Sequence, residues 1–171
     1  MSRSTSKMKR NLILISLSSG GFGFQATNLI NHLSKDCDFI YMTNRFGRSP
    51  EEARVPSGVY FRVPDFQTVT SGSPLTSLWS AIVTFFKSFY YILRYRPKAV
   101  IGVAMPQSIF MLMAGRILGK KTFYIESITR THTPSKSLKI CSRLHAARHM
   151  LVQWKSLQDT IPGTEFRGRV I

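Results

Sequence analysis

Glu126, Ser127 and Arg130 stand in the stretch YIESITR, residues 124–130, and Glu126 is the only acidic residue between positions 66 and 158, a span holding thirteen lysines and arginines. A carboxylate placed directly after an apolar run needs partners, because taking its charge out of water without them is costly. Arg130 lies four residues on, and Ser127, Thr129, Thr131 and Thr133 add hydroxyls. Such a group suits two chemical tasks: accepting a hydrogen bond from a sugar hydroxyl, or removing a proton as a general base. The competing structural role is to neutralise Arg130 or to cap the next helix. The isolation of the acid among cations favours chemistry, so Glu126 is the expected catalytic residue.

A second candidate is Ser18-Ser19-Gly20-Gly21-Phe22-Gly23-Phe24-Gln25. Glycines let a backbone approach a ligand closely, and unpaired amides at a helix N-terminus suit a phosphate or a polarised sugar oxygen. The spacing matches neither GxGxxG nor a P-loop, so it implies no nucleotide by itself. A turn needed only for chain geometry reads equally well. The segment Gly102–Gln107 offers packing rather than chemistry, with Pro106 suited to the first turn of a helix that Gly119 closes. His145 and His149 have the i, i+4 spacing of a metal pair on a helix spanning 135–149, but no third ligand lies near. They read as solvated or core-edge side chains, and neither a metal nor another cofactor is expected. Cys37 and Cys141 fit neither a disulfide framework nor a CxxC site, and such scarcity suits a reducing compartment.

The elements that must hold these residues are short apolar runs at 12–17, 38–42, 99–103, 121–125 and 149–153, with a further strand in GVYFRV at 58–63. Helical patterns lie between several of them, the first at 25–33. The alternation predicts an α/β fold, a parallel sheet flanked by helices with right-handed crossovers. Ligands of such sheets bind at the carboxyl ends of strands, where both the glycine turn and Glu126 fall. Residues 44–73, rich in Gly, Pro and Ser, should be the least regular part. A chain of 171 residues suits one domain, taken as 11–171 behind a basic disordered arm at 1–10. The apolar run after that arm stops at SSGG without a cleavage pattern, so it reads as a strand and not as a secretory leader.

A net charge of +16, from 24 Lys and Arg against 8 Asp and Glu, points to a polyanionic partner: nucleic acid, anionic lipid or a phosphorylated substrate. Residues 74–96, PLTSLWSAIVTFFKSFYYILRYR, form the most apolar helical pattern. Ser77, Ser80, Thr84, Lys87, Tyr91 and Arg94 mark one polar stripe on it. Lys87 interrupts the apolar run, which disfavours spanning a bilayer. The helix either packs one wide face on the sheet or shows Trp79, Phe85, Phe86 and Phe89 to a membrane interface. The excess of cations supports the second arrangement.

SSGG after the first strand, RPKAVIG at 96–102, YIESITR, LVQW at 151–154 and SLQDTIPGTEFRG at 156–168 together resemble a known family. It is that of the membrane-associating subunit of the two-part UDP-N-acetylglucosamine transferase of lipid-linked oligosaccharide synthesis. Bacterial PssD-type exopolysaccharide glycosyltransferase subunits look similar as well, and the likeness runs from Asn11 to Gly168. The resemblance implies a Rossmann-like domain equivalent to the N-terminal half of a GT-B glycosyltransferase of the MurG type. It also implies a polyprenyl-diphosphate-linked sugar acceptor bound by Ser19, Gly20, Gly21, Ser127 and Arg130, with Trp154 structural. The UDP-sugar would sit mainly on a small donor-binding partner subunit, since this sequence ends about where a linker to that half would begin. Attachment would be peripheral, on the anionic cytoplasmic face of the cell inner membrane, because the N-terminal anchor of eukaryotic relatives is missing. The family carries a histidine after the paired glycines, a proposed catalytic base, where this sequence has Phe22. Glu126 or the partner then takes that role, or the chain is a non-catalytic membrane scaffold that recruits the donor-binding subunit. A basic nucleic-acid-binding module, suggested by the charge and by Phe22, Phe24, Phe46 and Phe61, is the rival class, and the resemblance argues against nucleic acid.

Overall fold

The computed structural model describes residues 11–44, 47–65 and 74–170; the expected arm at 1–10 and Phe46 lie outside them. Strands and helices alternate as β1 (Asn11–Leu17), α1 (Gly20–Leu33), β2 (Cys37–Asn44), β3 (Val59–Val63), α2 (Pro74–Tyr95) and β4 (Ala99–Val103). They continue as α3 (Pro106–Ile117), β5 (Lys121–Ile125), α4 (Lys136–Arg143), β6 (His149–Val152), α5 (Lys155–Gln158) and β7 (Thr164–Phe166). The strands form one parallel sheet in the order β3-β2-β1-β4-β5-β6-β7. This is the α/β arrangement that the spacing of apolar runs predicts, with β7 added beyond it.

The period of two along each strand divides the core into layers. Ile13, Ile15 and Leu17 pack with Ala26 and Ile30 of α1 on one face. Leu14 turns to the other, among Ile92 of α2, Ile109 of α3 and Leu138 of α4. Helices on both faces explain why the central strands read as continuous apolar runs. From β1 the chain steps outward through β2 to β3, and α2 then carries it back to β4 on the other side of β1. The boundary between β1 and β4 is therefore where the strand order reverses, the place where such sheets open a crevice. The Val103 amide donates to Ser16 Oγ at 2.8 Å and ties the two strands together at that end.

Three elements differ from the sequence expectation. The first helix begins at Gly20 and not near Gln25. Helix α4 stops at Arg143, His145 takes a left-handed φ of 49°, and His149 opens β6 stacked on Phe123 with ring centroids 5.0 Å apart. The two histidines thus share no helical face. The α2 stripe is split: Ser80 and Thr84 turn inward at 1% and 0% exposed, beside Ser88 at 0%, whereas Lys87 and Arg94 stay exposed. Ser80 donates to the Pro64 carbonyl at 2.9 Å, and Ser88 lies 3.9 Å from Met42 Sδ. Small side chains let α2 approach α3 and the sheet closely, which leaves Leu75, Leu78, Trp79, Ile82, Phe86 and Tyr90 facing out. Of the four residues expected at a membrane interface, Trp79 and Phe86 are each 64% exposed. Phe85 and Phe89 are instead half-buried, because they lie on the flank that packs against the core.

Candidate functional site

The glycine turn follows directly from the end of β1. Gly20 adopts φ +64°, a conformation that penalises any residue with a Cβ. Gly23 is required for a different reason, since a Cβ there would lie 2.3 Å from the Ser18 carbonyl oxygen. Ser19 holds the N-cap position in extended conformation without a side-chain capping bond. The first intrahelical amide to find a partner is that of Gly23, bonded to the Ser19 carbonyl at 3.4 Å. The amides of Gly21 and Phe22 in that first turn have no such acceptor.

This turn forms one wall of a cleft of about 820 Å³. Ser18, Ser19, Gly20, Gly23, Phe24, Thr27 and Asn31 line that wall; Arg48, Glu52, Ala53 and Arg54, from the connection between β2 and β3, line the opposite one. The connection is ordered by a reciprocal pair of bonds: the Ser49 amide donates to Glu52 Oε2 at 3.0 Å, and the Glu52 amide donates to Ser49 Oγ at 3.3 Å. Ala53 and Val55 anchor it in the core beside α1. Phe22 is 40% exposed on the first turn of α1.

Glu126 does not open into this cleft. The residue is fully buried, and three donors converge on its carboxyl group. The Ser127 amide donates to Oε1 at 2.8 Å; the Ser135 amide and hydroxyl donate to Oε2 at 3.1 and 2.6 Å. Ser135 Oγ in turn accepts the Leu138 amide at 3.0 Å as the N-cap of α4. Glu126 was expected to face substrate as a catalytic carboxylate; it lies buried instead and holds Ser135, the N-cap residue of the next helix. No ion pair joins it to Arg130, whose side chain is exposed. Ser127 is buried, and its hydroxyl is shared with Thr129 at 2.9 Å. Ser127 and Arg130 therefore lie outside the cleft, whereas Ser19 and Gly20 line it and Gly21 adjoins it. Burial raises the pKa of the neighbouring Tyr124 phenol well beyond its ordinary range, and Glu126 adds to the effect. The Cys141 thiol is pushed up to about 12, chiefly by burial.

The two segments are nevertheless joined, through side chains that the sequence did not single out. Gln25 Nε2 donates to the Gly21 carbonyl at 3.3 Å, and Gln25 Oε1 accepts the Ile128 amide at 3.0 Å and Gln153 Nε2 at 2.7 Å. Gln153 Nε2 also donates to the Glu126 carbonyl at 2.8 Å, and its Oε1 accepts the Val170 amide at 2.8 Å. Both glutamines are buried with donors and acceptors engaged, which fixes the glycine turn relative to the end of β5. The signal available in the sequence was a lone amide at the end of the apolar run 149–153. Trp154 completes the brace by donating to the Ile128 carbonyl at 2.6 Å, with the Arg169 guanidinium 3.8 Å from its ring centroid.

Solved structures place this architecture in a class. MurG of Acinetobacter baumannii superposes with a TM-score of 0.68 at 18% identity, over 92% of this chain and 44% of that one. A UDP-N-acetylglucosamine 2-epimerase from Rickettsia bellii gives 0.66 at 13% identity, over 94% and 45%. UGT2 of Phytolacca americana gives 0.60 at 11%, over 97% and 55%. The fold is like that of the Rossmann-like N-terminal half of GT-B glycosyltransferases. The family described as "Oligosaccharide biosynthesis protein Alg14 like" matches residues 13–170, and the chain belongs to that family. Among its relatives, the mouse UDP-N-acetylglucosamine transferase subunit ALG14 is 31% identical over 116 residues, 64% of this chain and 52% of the relative. The human subunit is 30% identical over 129 residues, 69% and 58% respectively. The chain thus matches somewhat over half the length of these curated relatives.

Proposed function

We propose that this chain is the acceptor-binding subunit of a two-component glycosyltransferase that moves N-acetylglucosamine from its UDP donor to a polyprenyl-diphosphate-linked saccharide. The observation that carries the reading is the glycine turn. Ser19 and Gly20 line a cleft at the carboxyl end of β1, and the adjoining first-turn amides of α1, which have no backbone acceptor, suit the polar oxygens of a sugar or phosphate. Family membership supplies the reaction class and, through the relatives' designation as transferase subunits, the expectation of a second chain that holds the UDP-sugar. Phe22 offers no proton-transfer group, and Glu126 is buried in the α4 cap. The base is accordingly assigned to the partner, and this chain presents the acceptor.

Attachment to the membrane is proposed to be peripheral and cytoplasmic, through the outward face of α2. Trp79 and Phe86 would enter the interface while the exposed Lys87 and Arg94 meet anionic headgroups. Among the described residues no helix is long and apolar enough to cross a membrane. The bacterial exopolysaccharide pathway is a further setting in which the same acceptor chemistry would serve.

The test is reconstitution: this chain, a donor-binding partner, labelled UDP-N-acetylglucosamine and a polyprenyl-diphosphate-linked acceptor. Transfer should need both chains. Full transfer by the partner alone would reduce this chain to a scaffold, and transfer by this chain alone would remove the two-component reading.

A further inference from the structure

We propose that Arg48 and Arg54 form a diphosphate clamp facing the glycine turn across the cleft. The inference rests on the reading of that cleft as an acceptor site and adds what the site recognises: paired phosphate groups, held from the side of the connection between β2 and β3.

Four observations converge. Both arginines line the cleft, are exposed, and engage no other described side chain or carbonyl. Glu52 is the one acid in the lining against two arginines, so the wall carries a positive excess. The arm that bears the arginines is rigid: Ala53 and Val55 are buried, and Arg54 holds φ +55° through bonds from its own amide to the Glu51 carbonyl and from the Val55 amide to the Pro50 carbonyl, each 3.0 Å. On the opposite wall Ser18 lines the cleft, and its hydroxyl is bonded to no other described residue and is open to a ligand. A ligand oxygen there would engage it.

The chemistry fits these groups. A guanidinium presents parallel N–H donors to two phosphate oxygens at once, and charge-assisted bonds of this type are stronger than neutral ones. The α1 N-terminus supplies amides and the positive end of a 14-residue helix dipole on the other side. A diphosphate has enough oxygens to meet both walls, whereas a neutral sugar would leave the arginines unused.

The experiment titrates the full chain with inorganic pyrophosphate while amide resonances of Gly20, Gly21 and Phe22 are followed. Saturable shifts there are expected, and Arg48→Ala with Arg54→Asn should weaken binding roughly tenfold or more. Asn is chosen because it tolerates the left-handed backbone at position 54. Lysine at both positions should recover part of the affinity, since charge returns without the fork. The thermal midpoint should stay unchanged in each variant, because both side chains are exposed. No shift at the turn, or equal affinity in the uncharged variant, would overturn the clamp. Geranyl diphosphate and UDP then separate the sources. Preference for the prenyl compound supports the clamp as part of an acceptor site. Preference for UDP, still dependent on the arginines, would keep the clamp and overturn the acceptor reading.

Discussion

Replacing Glu126 with glutamine tests whether the buried acid serves structure or turnover. The carboxyl group accepts three hydrogen bonds, two of them at Oε2 from the amide and hydroxyl of Ser135. A glutamine has one acceptor oxygen and one NH2 group, so either Ser135 or Ser127 must then face a donor with a donor. Hydrogen bonds to charged groups contribute about 1.5–3 kcal/mol each, and a stranded buried donor adds its own penalty. A loss of about 3 kcal/mol is a conservative sum for this site, and in a chain of this size it corresponds to a fall in midpoint of roughly 6–12 °C. Thermal unfolding by circular dichroism reads it directly. Ser135→Ala should cost a comparable amount through the lost α4 cap, and the double variant should cost less than the two singles added, because the residues share one network. A midpoint within roughly 2 °C of the parent, with transfer abolished, would refute this reasoning and return Glu126 to a chemical role.

Other outcomes follow from the same geometry. Gly23→Ala should destabilise by at least about 2 kcal/mol, because its Cβ would press on the Ser18 carbonyl; chemical denaturation gives the value. On α2, Trp79→Ser with Phe86→Ser should leave the unfolding midpoint nearly intact and lower binding to anionic vesicles in a flotation assay, whereas Ile92→Ala, at a fully buried position, should cost about 2–5 kcal/mol. Hydrogen bonds from Arg167 first, and then His149, hold Glu165 below the ordinary carboxylate value of 4.5. The depressed folded value means that this contribution to β7 is present above pH 4.5 and is lost as the pH falls through the folded value, which an NMR titration of Glu165 should show. Cys141, with its thiol raised to about 12, should resist alkylation at neutral pH until the chain unfolds, as mass spectrometry would record.

The parallel sheet was legible because its central strands are apolar on both faces, and runs such as LILISL at 12–17 have no other comfortable place in a chain of this length. The end of α3 was legible too, marked by Pro106 at its start and Gly119 just beyond its close. The orientation of α2 was not. A serine and threonine stripe is ambiguous between a solvated face and a close-packing one, and only the neighbouring helix decides between them. Strand β7 has three residues, too few to show a period. The glycine turn could be placed from its position after β1, but its opposite wall could not, since Arg48 and Arg54 sit in an irregular segment with no pattern to read. The isolation of Glu126 is plain in the sequence but its setting is not, because its principal partner, Ser135, is nine positions away around a turn that local spacing does not reveal.

The contrasting settings of the chain's two tryptophans give the molecule a pair of built-in optical reporters. Trp79 projects into solvent from α2, so contact with lipid should move its fluorescence to shorter wavelength. Trp154 is fixed beneath the Arg169 guanidinium at the end of β6, where its emission follows the integrity of the glutamine brace. Replacing one indole at a time with phenylalanine would let adsorption and cleft order be followed separately in the same unlabelled sample.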